Sequence, residues 1–262
     1  MLEINQVYNS DCIGDNGMCL IEDKSVDLIL CDLPYGTTAC KWDSIIPFDK
    51  LWEQYERIIK DNGAIVLFGI QPFTSALIMS NIKLFKYCWE WKKSKGSNFP
   101  HAPNMPLKII EDINVFSKGV IGHFKQVGEK RMVYNPQGIR EGTTVVKQNQ
   151  NTSELKYHRE SQTNHTTGYK CKSEGYPNTL LDFKSEGKTI HPTQKPVALF
   201  EYLINTYTNE NDLVLDNCMG SFTTAVACEN TGRNYIGFEN DDKYYELGMK
   251  RLEELRNSRE SK

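Results

Sequence analysis

The run Val26-Asp27-Leu28-Ile29-Leu30-Cys31 delivers the turn Asp32-Leu33-Pro34-Tyr35-Gly36, and this junction constrains the fold more than any other stretch. A nearly continuous apolar run reads as a strand of a parallel sheet, buried on both faces. The acidic turn then lies at the strand's carboxyl end, where open α/β sheets collect ligands and chemistry. Asp32 offers a carboxylate acceptor. Pro34 fixes the backbone and has no N–H, so nearby carbonyls can point outward. Tyr35 offers a flat face for a planar ring. Together these groups suit an exocyclic amine on a heterocycle. A D-x-P-Y tetrapeptide is also compatible with a helix cap and a turn, so its meaning depends on the rest of the chain.

The pattern around that strand repeats. Gln6 to Asn9 is a strand candidate that leaves Asp11 just past its carboxyl end, and Cys12 to Ile21 reads as a short helix. Residues 37–47 read as a loop. Phe48 to Lys60 carries Leu51, Trp52, Tyr55, Ile58 and Ile59 at helical spacing, with Asp61-Asn62-Gly63 as its stop. Ala64 to Phe68 is a second apolar strand, Gln71 to Ile82 a helix, and Tyr87 to Trp91 and Asp112 to Phe116 two more strands. Between those last two, Lys92 to Asn98 reads as a basic loop. Strands alternating with helices predict a mostly parallel sheet with helices on both faces.

From about 118 to 188 the apolar runs stop, and amides, Thr, Gly and Tyr dominate. Cations outnumber anions here, although the whole chain carries a net charge of −3. Lys125, Lys130, Arg131, Arg140, Lys147 and Arg159, with Lys93 and Lys95 of the earlier basic stretch, are candidate phosphate contacts. A solvated insertion that binds nothing has the same composition. The division expected is one core domain, 1–117 with 189–262, interrupted by an insertion, 118–188.

Composition excludes other classes. With 262 residues, 39% hydrophobic and 25% charged, the chain fits one large soluble domain. Its eight cysteines form no C-x-x-C pair, which favours reduced thiols in a cytoplasmic setting over disulfides or a metal site. No apolar run approaches the length of a membrane span, and the first residues lack a signal-peptide pattern.

The carboxyl-terminal third completes the reading. His191-Pro192-Thr193-Gln194-Lys195-Pro196 leads into a helix over Val197–Tyr207. The strand Leu213-Val214-Leu215 runs into Asp216-Asn217-Cys218-Met219-Gly220-Ser221, followed by a helix from Thr223, a strand Tyr235–Phe238 ending at Glu239, and a last helix from Asp242. Strand, glycine turn, helix, strand and acid is an arrangement that holds a nucleoside: Gly220 permits close approach and Glu239 can accept from ribose hydroxyls. Neither a G-x-G-x-x-G nor a P-loop pattern is present.

In this order the motifs resemble those of the β-class amino-group DNA methyltransferases, over nearly the whole chain outside the insertion. Asp32-Leu33-Pro34-Tyr35 looks like the catalytic D-P-P-Y, His191 to Pro196 like the H-P-T-Q-K-P stretch beside the cofactor's methionine moiety, and Asp216 to Thr224 like the cofactor loop D-P-F-x-G-S-G-T-T. The resemblance implies a Rossmann-like methyltransferase fold with a seven-stranded sheet and an inserted target-recognition region. It implies S-adenosylmethionine as cofactor, bound by Asp11, Thr193, Gln194, Lys195, Asp216, Cys218, Gly220, Ser221, Thr223, Thr224 and Glu239. Double-stranded DNA is the implied partner, with a homodimer and a companion restriction enzyme as further options and no metal. Asp at the first motif position resembles the adenine-N6 enzymes, whereas Ser is more frequent in the cytosine-N4 ones. Alternatives are a cytosine-N4 enzyme, an RNA methyltransferase and a catalytically impaired DNA-binding homologue.

Three departures bear on the site. Leu33 replaces the first Pro. Asn217 and Cys218 replace Pro and Phe, which makes the wall under the cofactor adenine less apolar. Phe222 stands where the family has Gly, so its side chain either turns away or enters the methionine pocket, and a positive φ there carries about 1–2 kcal/mol of strain. The expectation is weakened cofactor binding.

Overall fold

The computed structural model describes residues 2–37, 43–142, 145–146, 169–170, 173–187, 190 and 194–260. The strands are β1 (Gln6–Asn9), β2 (Val26–Cys31), β3 (Ile59–Gly69), β4 (Phe85–Ser97), β5 (Lys108–Phe116), β6 (Arg140–Glu141), β7 (Val145–Val146), β8 (Tyr169–Lys170), β9 (Ser173–Glu174), β10 (Leu180–Asp182), β11 (Leu213–Asp216) and β12 (Asn234–Glu239). The helices are α1 (Phe48–Ile58), α2 (Phe73–Ser80), α3 (Phe124–Val127), α4 (Val197–Tyr207), α5 (Thr223–Thr231) and α6 (Asp242–Glu260).

Eight strands form one sheet in the order β1-β12-β11-β2-β3-β5-β4-β10. From β1 to β3 the neighbours are parallel; β5 is antiparallel to β3 and β4, and β10 is parallel to β4. Side chains alternate across the sheet, so each strand feeds two cores. Leu28, Leu30, Val66 and Phe68 pack with α4 and α5 residues such as Phe200, Leu203 and Ala225. Ile29, Cys31, Ile65 and Leu67 pack on the other face with Leu51, Trp52 and Tyr55 of α1. This is why Leu28–Cys31 of β2 and Ala64–Phe68 of β3 read as apolar runs. The α/β class and the parallel core are as expected; the sheet has one strand more than the seven anticipated. The additional edge strand, β10, is too short and too exposed to show in the sequence, with only Leu181 of its three residues buried.

Three local expectations are corrected. Residues 12–21 form turns and a single 3-10 turn over Met18–Leu20, not a helix. The chain folds back closely at Gly17, where a Cβ would lie 2.3 Å from the Cys12 carbonyl oxygen, so this turn requires a glycine. Helix α1 stops at Ile58, and Asp61-Asn62-Gly63 lies inside β3, where Lys60 pairs with Asp27 at 2.6 Å and Ser117 Oγ donates to the Gly63 carbonyl. Lys92 to Ser97 is strand, not loop: β4 and β5 continue together past the sheet body, pairing Lys92 with Ile110 and Ser97 with Lys108. Its inward positions hold an ion pair, Lys93 with Glu111, so no apolar alternation reveals it.

The chain divides into two compact units. One holds 1–135 and 179–262; the other is Pro136–Asn178, where β6 pairs with β9 and β7 with β8, both antiparallel. Residues 118–135 belong to the first unit: Val133 N–H donates to the Asn62 carbonyl and Asn135 N–H to that of Thr206. Among the described residues, no helix is long and apolar enough to cross a membrane.

Candidate active site

The acid-bearing turn leaves the carboxyl end of β2, beside β3 and β11, and is held by its own backbone. Gly36 adopts φ +66°, and Asp43 accepts the N–H groups of Gly36 and Thr37, each at 2.9 Å. Leu33 is buried in the core, so its replacement of a proline is absorbed by packing. Asp32 has a partner on each oxygen. The Tyr35 hydroxyl donates to Oδ1 at 2.5 Å, and the Lys195 ammonium to Oδ2 at 2.5 Å. The Tyr35 ring lies 5.0 Å from that of Phe73, which fixes its plane.

Lys195 arrives from the segment just before α4, lies over the Phe68 ring at 5.2 Å, and is also 3.3 Å from Glu111 Oε2. Glu111 stands on β5, and Lys93 of the neighbouring β4 holds its other oxygen at 3.0 Å. All four charged side chains are largely buried. Burial raises the Asp32 carboxyl above its ordinary range, against the pull of Lys195 and with the help of Glu111. Burial also opposes ionisation of Glu111, but Lys195 and Lys93 outweigh it and lower that carboxyl. Burial and the adjacent Asp32 push the Tyr35 phenol well up, so it stays a donor.

A second group of acids ends the neighbouring strands. Asp216 closes β11 and Glu239 closes β12, while Asp11 lies just beyond β1, exposed. Asp216 accepts the Cys218 N–H at 3.0 Å and the Thr224 hydroxyl. Burial pushes its carboxyl up to about 6, opposed by the Thr224 hydroxyl. Glu239 accepts the Gly220 N–H at 2.7 Å and the Asp241 N–H at 2.8 Å. Gly220 has φ +51°, and a Cβ there would meet nothing closer than 4.0 Å, so the turn is open on that side. Acceptors at three adjacent strand ends match the donors of an adenosine, its ribose hydroxyls and ring amine. The group implied by the sequence therefore fits these residues.

The loop is tied to the segment before α4. Thr223 Oγ1 donates to the Lys195 carbonyl at 3.5 Å, and Arg251 of α6 donates to the Ser221 carbonyl at 2.8 Å and to Thr223 Oγ1 at 3.1 Å. Glu186 takes the Gln194 amide and the Val197 N–H. Asn217 is turned inward, accepting from Tyr55 at 2.5 Å and donating to Cys12 Sγ and Cys218 Sγ at 3.5 Å.

Phe222 has φ +62° and is fully buried. Its ring turns away from the loop's open side and packs under α6, 5.9 Å from the Tyr245 ring. Gly248 makes the space, since a Cβ there would lie 2.3 Å from the Phe222 ring. Of the two placements open to this side chain, it takes the one turned away, with the backbone strain of a left-handed phenylalanine.

The structure thus brings Asp32, Tyr35 and Lys195 together and gathers Asp216, Cys218, Gly220, Ser221, Thr223, Thr224 and Glu239 in one loop region. Lys195, expected beside the cofactor, bonds the turn's carboxylate with its ammonium, while its carbonyl accepts from Thr223 of the loop. Lys93 is turned inward onto Glu111, while Lys95, Lys125, Lys130, Arg131 and Arg140 are partly or fully exposed. Thr193, Lys147 and Arg159 lie outside the described residues. Glu111, Glu186, Arg251 and Asp43 had no motif to announce them. Only the topology places them at the site.

Comparison with known proteins agrees with this geometry. A family model described as DNA methylase matches residues 26–250. The type II methyltransferase M1.MboII of Moraxella bovis is 31% identical over 260 residues, covering 93% of this chain and 95% of its own. The M1.HpyAVI–SAM complex superposes with a TM-score of 0.59 at 24% identity, covering 94% of this chain and 98% of that one. The cytosine-N4-specific PvuII DNA methyltransferase superposes with a TM-score of 0.64 at 15% identity, covering 93% and 84%.

Proposed function

The chain belongs to the DNA methylase family and is a site-specific DNA methyltransferase using S-adenosylmethionine; on that premise we propose that its target is the N6 amino group of an adenine turned out of duplex DNA. The observation that carries the reading is Asp32 at the carboxyl end of β2, its Oδ1 fixed by Tyr35. The cofactor, when bound, supplies an electrophilic methyl group on a sulfonium.

An aromatic amine is a weak nucleophile because its lone pair is delocalised into the ring. Asp32 accepts one N–H of that amine, and the backbone carbonyl of Leu33 or Pro34 accepts the other. Both bonds favour a pyramidal nitrogen with an available lone pair. The Tyr35 face stacks on the base, which must leave the duplex to reach it. Holding the amine in line with the methyl supplies much of the rate. Asp32 in the first motif position supports adenine over cytosine.

The same reading assigns Asp11, Gln194, Asp216, Cys218, Gly220, Ser221, Thr223, Thr224 and Glu239 to the cofactor. Residues 118–188 form the target-recognition region, with Lys125, Lys130, Arg131 and Arg140 among its phosphate contacts. The type II designation of the Moraxella relative supports a companion restriction enzyme. A homodimer rests on the family resemblance and is read by sedimentation. The described cysteines are free thiols, which supports a reducing, cytoplasmic setting.

The test is incubation with S-adenosylmethionine and unmethylated plasmid, followed by digestion and nucleoside mass spectrometry. N6-methyldeoxyadenosine is the expected product. N4-methyldeoxycytidine overturns the base assignment, and no methylated nucleoside overturns the reading.

A further inference from the structure

Asp32 has no oxygen free of a donor: Tyr35 holds Oδ1 and Lys195 holds Oδ2, each at 2.5 Å. An incoming amine that bonds this carboxylate must share an oxygen with one of these donors or take its place. Tyr35 is part of the same turn and packs against Phe73, so it has little room to leave. Lys195 is different, because a second carboxylate already faces its ammonium. Glu111 Oε2 lies 3.3 Å from Nζ, is buried, and is the one described buried side-chain oxygen or nitrogen without a hydrogen-bond partner. Lys93 fixes the other oxygen of Glu111, so Oε2 stays directed at Lys195. Oε2 is thus an ion-pair partner of the ammonium without an aligned hydrogen bond, an acceptor that Lys195 can satisfy more fully by moving toward it.

We propose that Glu111 is a positioning residue that receives the Lys195 ammonium when the target's amino group takes Asp32 Oδ2. The inference rests on the methyltransferase reading. Before the base arrives, Lys195 neutralises Asp32 and fills the place of the amine. When the base enters, the ammonium moves onto Glu111 without leaving the buried site or losing a carboxylate partner. The displacement also changes Asp32. A carboxylate that loses its cation becomes a better proton acceptor. During transfer the sulfur–methyl bond breaks and a nitrogen–methyl bond forms, so the sulfonium becomes a neutral thioether and the nitrogen takes the positive charge. The amine proton then passes to Asp32 Oδ2, which Lys195 has vacated. The acceptor thus gains basicity at the stage that needs it, and Glu111 acts on it only through Lys195.

Two measurements test this. In steady-state methylation of unmethylated plasmid, Glu111→Gln is expected to lower kcat by roughly 10- to 100-fold, because Lys195 then has only Asp32 as an anionic partner. Calorimetric affinity for S-adenosylmethionine stays within about twofold, which also establishes folding. Glu111→Asp restores part of kcat. Adding Glu111→Gln to Lys195→Met produces no further loss, because the lysine through which Glu111 acts is gone. Wild-type kcat in Glu111→Gln, or losses that multiply in the double variant, would overturn the proposal.

The second measurement needs no turnover. Carbon-13 NMR titration of the Asp32 carboxyl in cofactor-free protein should show its midpoint falling by about one unit or more in Glu111→Gln, as Lys195 becomes wholly its partner. An unchanged midpoint overturns the shared-ammonium arrangement. If the wild type methylates no nucleoside, the functional reading fails, while the titration still reports on Lys195.

Discussion

Asp216 and Glu239 take their hydrogen bonds from the two segments that follow β11 and β12, mostly from backbone N–H groups, whereas Asp32 and Glu111 share one ammonium, that of Lys195 from the segment before α4. Cys218 N–H, the Thr224 hydroxyl and the N–H groups of Gly220 and Asp241 are all contributed by the segments that follow β11 and β12. Lys195, by contrast, is 163 residues from Asp32 in sequence. Local backbone donors persist as long as the loop keeps its conformation, so the cofactor half is preorganised. An ammonium held between two carboxylates can be exchanged, and the proposed catalytic half relies on that exchange. On the proposed reading the two sets of acids have opposite duties: one fixes a shape, the other handles the reacting amine.

The sharpest way to break this comparison is Asp32→Ala. Turnover should fall by about 10²–10⁴-fold, with S-adenosylmethionine affinity retained, because the lost group serves the amine and not the cofactor. Calorimetry and nucleoside analysis on the same preparation check it. Simultaneous loss of both would make Asp32 a scaffold residue.

Phe222→Gly probes the cofactor half. Removing a buried Phe costs about 3–5 kcal/mol, against the roughly 1–2 kcal/mol of strain relieved, so the variant should be less stable by about 2 kcal/mol. Its cofactor affinity should stay close to wild type, since the ring faces α6. Gly248→Ala, which presses on the same ring, should cost about 1–3 kcal/mol. Denaturant unfolding measures both, and a Phe222→Gly protein more stable than wild type would contradict the packing described.

Asp216 gives the comparison a pH dependence. Its carboxyl stands near 6 in the folded protein against an ordinary 3.8. A raised folded value means that this group's contribution is fully present below about pH 4 and is lost as pH rises through 6. The stability difference between wild type and Asp216→Asn should therefore fall across that window by up to about 3 kcal/mol and then level off. Urea titrations from pH 4 to 7 read it, and a flat difference argues against a buried, raised carboxyl.

The smallest effect belongs to the exposed cations. Replacing Arg131 or Arg140 with Ala should weaken plasmid binding evenly across sequences and reduce the salt slope by about one each. An unchanged slope removes that residue from the DNA contact.

The parallel core was legible because strands buried on both faces have no choice but to be apolar: β2 and the Ala64–Phe68 part of β3 declare themselves, and α4 begins and ends where its pattern does. The acids of the cofactor half were legible too, since each follows its strand by fixed local spacing. Glu111 was not, because nothing near it in sequence marks a residue whose partners come from β4 and from the segment before α4. The outer reach of β4 was hidden for a different reason: its inward residue is the charged Lys93 and its outward ones face solvent, so the pattern is polar throughout.

The way the main unit fastens both ends of 136–178 has an evolutionary corollary. Upstream, Val133 and Asn135 are bonded to the backbone of β3 and α4; downstream, the Thr179 carbonyl accepts from Glu90 N–H as the chain enters β10. The intervening stretch is therefore a cassette between two anchored joints. If this stretch reads DNA as proposed, new target sequences could arise by grafting while the methyl-transfer machinery is inherited unchanged.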